Sequence, residues 1–418
     1  MNSGSDHDIL EKIRHTGLPV IIFGAGIVGD ALYYACLKAG IRVECFCDNN
    51  INKTHSRKCD LEIAYTPDLK SRFEDAVFLI AAADIKDVIG QLGTLGYDQW
   101  HPGGLLLRDF DLTQCVFEAP ADFVEFAVST CLLCHDGFLH PDRLFMRSVD
   151  IIITERCSLK CRDCSNLMQY YQSPGDCDIE NVLRSIDALC LLTDQINEFR
   201  VIGGEPFMNR NIHLVMNRLI QEPKVRKIVI YTNGTIVPKG EPLESLKHEK
   251  TLLIITDYGP LSRKLRDLTQ SLTLHHIAYY VVKAHGWSSC SDIGKHRRGI
   301  EEQKETFGNC CAKNTLTLTD GKLFRCPFSA NAYRLGAIPD FQTDYVDLFQ
   351  TPPESGNISS KKKEIRDLLL EKTFLETCDY CNGRPFGASE IQPAVQIKTP
   401  LTYERLCPPK SESDRDQL

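Results

Sequence analysis

From Val149 onward the chain alternates short apolar runs with helical patterns. "DIIIT" at 150–154, "EFRVI" at 198–202, "KIVIYT" at 227–232, "LLIIT" at 252–256 and "HIAYYVV" at 276–282 read as strands. Helical periodicity fills most of the intervals, over about 179–192, 211–221 and 262–272. Consecutive parallel strands need a crossover of helical length, so this pattern predicts a parallel sheet whose loops at the strand C-terminal ends carry the chemistry. An earlier alternation occupies "PVIIFGAGIVGDALYYACLKAGIRVECFCDNN", residues 19–50: a strand, a glycine turn, a helix to Lys38 and a strand ending at Asp48. "LEIAY" at 61–65, "AVFLIAA" at 76–82, a helical pattern over 84–95 and "YDQW" at 97–100 continue it. Boundaries follow from these shifts. A first domain spans 1–112, and a helical connector interrupted by Pro120 and Pro141 spans 113–146. The second alternation fills 147–290, and a charged, irregular region with a hairpin turning at Asp320-Gly321 fills 291–408. The last segment, 409–418, has no apolar anchors and is expected to be disordered. There is no internal repeat.

Charge and composition exclude several classes. A net charge of −8 provides no basic field for a phosphate backbone, and the cluster Lys361–Lys363 reads as a solvated helix start, so nucleic acid is a poor partner. The N-terminus is polar where a secretory segment is apolar, and no apolar run reaches the roughly 18 residues of a membrane span; the expectation is a cytoplasmic protein. Nineteen cysteines in a large chain of a reducing compartment point to metal or redox chemistry rather than disulfides.

The tightest cysteine group is "CSLKCRDC", 157–164. Zinc takes four ligands in a structural site, and no fourth Cys or His lies close by. Three thiolates on a four-iron cluster leave one iron open to chelate a small molecule. "VIGGEP", 201–206, follows the next strand; its glycines permit close backbone approach, and Glu205 offers an acceptor to an ammonium. These two motifs, in this order and at these sheet positions, resemble the radical SAM superfamily over roughly residues 147 to 390. The resemblance implies that Cys157, Cys161 and Cys164 ligate a 4Fe-4S cluster whose open iron takes S-adenosylmethionine (SAM), with Gly203, Gly204, Glu205 and Pro206 against its methionyl amino group. Asn233, Thr256 and Asp257 match strand ends that contact the ribose in that family. One departure is Asp163, where many members carry an aromatic beside the adenine.

A second group comprises Cys310, Cys311, Cys326, Cys378 and Cys381. It resembles the twitch domain, the shorter relative of the SPASM extension, and so implies one auxiliary 4Fe-4S cluster on four cysteines; zinc on the same thiolates is the alternative. Adjacent residues in an extended segment face opposite ways, so only one of Cys310 and Cys311 is a ligand. Strand alternation carried back from "NTLTLT" puts Cys310 on the leucine face, and a buried leucine face favours Cys310.

In the first domain, Gly24, Gly26 and Gly29 lie between a strand and a helix, and Asp48 follows Gly29 by nineteen residues, the context of a dinucleotide fingerprint. Pyrophosphate on the helix N-terminus and a ribose hydroxyl on Asp48 would be the ligand reading, for a nucleotide, nucleotide sugar or NAD. A purely structural turn is the alternative. "CLLC", 131–134, reads as buried small apolar surface, and Lys283, His285, Trp287, Arg297 and Arg298 follow the fifth strand near the mouth of the site.

The implied fold class is α/β: a Rossmann-like N-terminal domain, a partial parallel (β/α)6 barrel as radical SAM core, and a small auxiliary iron-sulfur domain. The implied enzyme is an oxidoreductase of dehydrogenase or epimerase type that abstracts hydrogen with a 5'-deoxyadenosyl radical, taking its electron from an external donor such as flavodoxin or ferredoxin. The nucleotide-binding-like domain in front suggests a small carbohydrate substrate: a sugar, amino-sugar or sugar nucleotide. No catalytic side chain is assigned. The alternatives are a radical SAM peptide-modifying enzyme and, from another class, a non-catalytic zinc-stabilised nucleotide-binding protein.

Overall fold

The computed structural model describes residues 6–54, 56–350, 358–385 and 388–408; the tail expected to be disordered, 409–418, lies outside them. The chain divides into two compact units, Met1–Arg147 and Ser148–Leu418.

The first unit holds β1 (Val20–Phe23), β2 (Val43–Asp48), β3 (Arg57–Lys58), β4 (Leu61–Tyr65), β5 (Val77–Ile80) and β6 (Trp100–Pro102), in the order β3-β4-β2-β1-β5-β6. Every ladder is parallel except β3–β4. β1 and β5 are buried along their whole length, which is why they read as unbroken apolar runs rather than alternating ones. Each fully buried side chain there, such as Ile22 or Phe78, contributes roughly 1.5–3 kcal/mol. The strand order reverses at β1, and the glycine turn sits at its C-terminal end. Residues 113–146, expected as a connector, fall in this unit. One helix, Ala121–Leu139, starts after Pro120 and stops at His140, whose backbone is pushed out of the helical region by Pro141. Its Val124 and Val128 join the core that contains Leu32 and Leu105.

The second unit is built on β7 (Phe145–Ile152), β8 (Gln195–Ile202), β9 (Val225–Thr232), β10 (Thr251–Asp257), β11 (Tyr279–Lys283), β12 (Leu316–Thr319), β13 (Lys322–Phe324) and β14 (Tyr345–Asp347). Their order is β11-β10-β9-β8-β7-β12-β13-β14. The ladders β8–β9, β9–β10, β10–β11 and β7–β12 are parallel; β12–β13 and β13–β14 are antiparallel. This corrects one expectation. Residues 147–290 supply the five strands read from the sequence, so the six-stranded core is completed by β12, from the segment assigned to a separate C-terminal domain. Without β12, β7 would present a bare row of N–H and C=O groups; pairing satisfies them and makes 148–418 one body. The hairpin turns as expected at Asp320 and Gly321, both left-handed (φ 48° and 71°), as a two-residue type I′ turn requires. Helices Ile300–Gly308, Pro327–Leu335 and Ile358–Leu370 occupy the region read as irregular. Among the described residues no helix is long and apolar enough to cross a membrane.

A candidate iron-sulfur and SAM site

Beyond β7 the chain runs into the first cysteine loop beside the end of β8. Gly204 N–H donates to Thr154 O at 2.9 Å and Glu205 N–H to Arg156 O at 2.8 Å, so "GGEP" is laced to the approach of the cysteine loop. A Cβ on Gly203 would lie 2.2 Å from Thr154 O, and one on Gly204 2.3 Å from Arg156 O. The glycines are therefore required by backbone packing. Together the two segments wall a cavity of ≈ 330 Å³ at the strand C-terminal ends, with Cys157, Cys161 and Cys164 on its surface and Asn233 and Thr256 opposite.

Each of the three sulfurs faces a hydrogen-bond donor: the Leu159 backbone at Cys157, the Gln396 amide at Cys161, and the Asn166 and Met168 backbones at Cys164. Burial pushes all three thiols up, that of Cys161 to about 11, against these donors. Without a nearby positive charge the buried thiols keep their protons; bound iron reverses this. Among the described residues no three His, Cys, Asp or Glu side chains converge to hold a metal ion at a single point. Cys157, Cys161 and Cys164 are three thiols on one cavity, each facing a donor, and are the residues that could hold a cluster there.

Other expected residues are placed differently. Glu205 is fully buried and faces away from the cavity. Its carboxylate accepts from Thr232 Oγ1 at 2.8 Å and from the N–H groups of Asn233 at 2.9 Å and Phe207 at 3.3 Å, and so braces the ends of β8 and β9. Pro206 is buried at the start of a short 3-10 turn. Asn233 reaches the cavity, but its amide also donates to Ser158 Oγ at 3.1 Å and to Cys157 Sγ at 3.7 Å. Asp257 caps a turn, accepting from Gly259 N–H at 2.8 Å, and does not line the cavity. Asp163 pairs with Arg162 at 3.1 Å. The aromatic lining comes from Tyr231, Tyr258 and Trp287, the last two edge to face at 6.0 Å. Of the residues expected at the mouth, Trp287 lines the cavity, Lys283 and His285 are exposed, and Arg298 serves the second cysteine group.

Sequence reasoning missed an ion pair on the cavity wall, Arg200 Nε to Asp150 Oδ1 at 2.5 Å, with the guanidinium 5.5 Å from the Tyr231 ring centroid. The available signal was a charge inside each of two apolar strand runs, "VDIII" and "EFRVI".

The second cysteine group lines a neighbouring cavity of ≈ 70 Å³: Cys310, Cys326, Cys378 and Cys381 are on its wall, while Cys311 faces the first cavity. The strand alternation used to favour Cys310 does not exist, because residues 311–314 form a turn and both faces of β12 are buried. Cys326 is the N-cap of helix Pro327–Leu335 and accepts from Ser329 N–H at 3.4 Å, with proline in the first turn, where its missing N–H costs nothing. Ala312 N–H donates to Cys310 Sγ at 3.4 Å and Gly383 N–H to Cys381 Sγ at 3.3 Å. Burial pushes Cys378 and Cys381 up to about 12. Arg298 clamps the knuckle through the carbonyls of Cys378 and Cys381 at 2.5 and 2.6 Å. Cys290, buried on the same wall, was also missed, because a lone cysteine has no spacing signal.

In the first unit, Gly24 has φ 110° and a Cβ on Gly29 would meet Gly24 O at 2.2 Å, whereas Gly26 has open space around it. Asp48 is closed onto the turn: it accepts from Ala25 N–H at 3.0 Å, Asn50 N–H at 2.9 Å and Lys53 Nζ at 2.9 Å. "CLLC" has both cysteines buried, as read.

Comparison with known proteins bears on the second unit. The Radical SAM superfamily profile matches residues 151–257, the stretch that carries the first cysteine loop, "GGEP" and the ends of β9 and β10. Residues 151–257 are thus similar to a Radical SAM superfamily domain. The chain is 30% identical over 146 residues to GTP 3',8-cyclase of Clostridium acetobutylicum, covering 31% of this chain and 45% of the relative. It is 29% identical over 93 residues to GTP 3',8-cyclase of Stenotrophomonas maltophilia, covering 22% and 27%. It thus spans less than half the length of the curated relatives it matches. Among solved structures, BtrN in complex with AdoMet and 2-DOIA aligns at 14% identity over 60% of this chain and 98% of that chain, with a TM-score of 0.38. Native anSMEcpe with bound AdoMet aligns at 13% identity over 43% and 74%, with a TM-score of 0.31.

Proposed function

We propose that the chain is a radical SAM oxidoreductase that removes hydrogen from a small polar substrate and passes the remaining electron to a second, auxiliary iron-sulfur cluster. The observation that carries this reading is the adjacency of the two cysteine-lined cavities, which share Ser165, Ala312, Pro327 and Arg384 as common wall. When bound, the first cluster and SAM supply a hydrogen-abstracting radical. The protein's own residues then define what meets it. Cys157, Cys161 and Cys164 hold the cluster and leave one position open. The Asp150–Arg200 pair and Tyr231 present polar groups and one aromatic face to the substrate, which suits hydroxyl-bearing rings. Cys310, Cys326, Cys378 and Cys381, four of the five thiols on the second cavity wall, would leave no open position on a four-iron cluster, which suits an electron acceptor and so a two-electron oxidation of a sugar, amino-sugar or sugar nucleotide, rather than epimerisation. The first unit is read as a Rossmann-like scaffold whose acidic residue braces its own glycine turn.

Iron and sulfide analysis of anaerobically purified protein tests the metal assignment: about eight irons per chain are expected from two four-iron clusters, and zinc without iron would overturn it. Cys161→Ala should abolish reductant-dependent formation of 5'-deoxyadenosine, and persistence of that product would falsify the ligand assignment. A nucleotide substrate is the second reading, favoured by the similarity to the two GTP 3',8-cyclases. Incubation with GTP and with a panel of sugar nucleotides, followed by mass analysis, separates them: a product two mass units lighter than a sugar nucleotide supports oxidation, and an isomer of GTP supports the second reading.

A further inference from the structure

A segment near the C-terminal end of the described chain straps the first cysteine loop. Gln396 bridges antiparallel to Cys161, Arg162 N–H donates to Val395 O at 2.8 Å, and Ile397 N–H donates to Lys160 O at 2.8 Å. Within this strap the Gln396 side chain is fixed at both ends of its amide. Its Oε1 accepts the Lys160 N–H at 2.7 Å, and its Nε2 donates to Ala394 O at 2.8 Å and to Cys161 Sγ at 3.3 Å. Because the oxygen is committed to a backbone N–H, the nitrogen must face the sulfur; the amide cannot be turned round without setting two donors against each other. A neutral donor aimed at one ligand sulfur, and held by backbone pairing on either side, is a device for tuning a metal centre from outside its ligand set.

The geometry points to Gln396 as a positioning residue that raises the reduction potential of the first cluster. This rests on the proposed cluster at Cys157, Cys161 and Cys164. A one-electron reduction adds negative charge that spreads onto the thiolate sulfurs, and an N–H donor stabilises the reduced form more than the oxidised one. Removing the donor therefore makes the cluster harder to reduce.

The test is an anaerobic redox titration followed by electron paramagnetic resonance, using the signal that changes on addition of SAM to identify the first cluster. Gln396→Leu removes the donor. Gln396→Glu keeps an acceptor for Lys160 N–H but replaces the donor with a negative charge beside the sulfur. At a fixed potential near the wild-type midpoint, the reduced-to-oxidised ratio should fall roughly fivefold in Gln396→Leu, a downward shift of about 40 mV at 59 mV per decade, and further in Gln396→Glu. A variant that loads less iron is still readable, since the signal arises only from molecules that carry the cluster. An unchanged midpoint in both variants overturns the assignment, as does loss of the first cluster in both with secondary structure intact, which would make Gln396 a support of the loop alone. Absence of any SAM-sensitive signal in the wild type would instead sink the proposed function on which the inference stands.

Discussion

His135 is fully buried in the first unit, and its two ring nitrogens have opposite duties. Nδ1 accepts the Gly104 N–H at 3.0 Å, so Nε2 carries the proton and donates to Ala82 O at 2.9 Å. Burial lowers its pKa to about 4, because protonating Nδ1 would place an unpaired charge in the core and break the Gly104 bond. The folded value lies below the ordinary 6.5, so the stability His135 contributes is present above about pH 6.5 and is lost as pH falls through about 4. Urea melts between pH 7 and 4 should show the first unit weakening over that window, and His135→Gln should flatten the dependence. At Gly204 the constraint is steric. A Cβ there meets backbone at Arg156 O, 2.3 Å away, and no side-chain rotation relieves the contact. Gly204→Ala should separate "GGEP" from the cysteine loop at a cost of roughly 1–3 kcal/mol or more, with iron falling from about eight to about four per chain and SAM binding lost.

Among elements, the turn at 311–314 decides which of two adjacent cysteines serves the second site. It follows helix Ile300–Gly308, is closed by Lys313 N–H to Cys310 O at 3.3 Å and Thr315 N–H to Ala312 O at 3.1 Å, and leaves Cys310 and Cys311 on different cavities. Cys310→Ala should therefore leave about four irons and uncouple SAM cleavage from substrate oxidation, whereas Cys311→Ala should keep both clusters. Iron analysis of the two variants decides the matter, and iron loss confined to Cys311→Ala would reverse the assignment.

For the molecule as a whole, the division into two compact units separates effects on the glycine turn from effects on the clusters. Gly26, the N-cap of helix Ile27–Lys38, has φ −109° and open space where a Cβ would stand, so its backbone does not require glycine. Gly26→Val should cost roughly 0.5–1 kcal/mol, since valine is a poor N-cap, and leave iron content and SAM cleavage as in the wild type. Lost iron in that variant would show that the first unit supports the cluster sites after all.

Sequence alone located most strands of both sheets, though not the short edge strands β3 and β14, together with the hairpin turn and the two cysteine groups, because apolar runs between helical patterns and close cysteine spacings are local properties of the chain. It read Gly203 and Gly204 as sites of close approach, but to the methionyl amino group of SAM, whereas the folded chain sets them against the backbone of Thr154 and Arg156. Tertiary structure decided the rest. β12 pairs with β7 because an edge strand takes whatever partner long-range packing delivers, and no periodicity encodes that choice. Glu205 and Asp48 stand where ligand acceptors were expected, and both carboxylates accept from neighbouring N–H and O–H or ammonium donors, which only the folded chain brings to them. Gln396 meets Cys161 across 235 residues of sequence, a separation at which spacing carries no signal and hydrogen-bond geometry alone defines the pair.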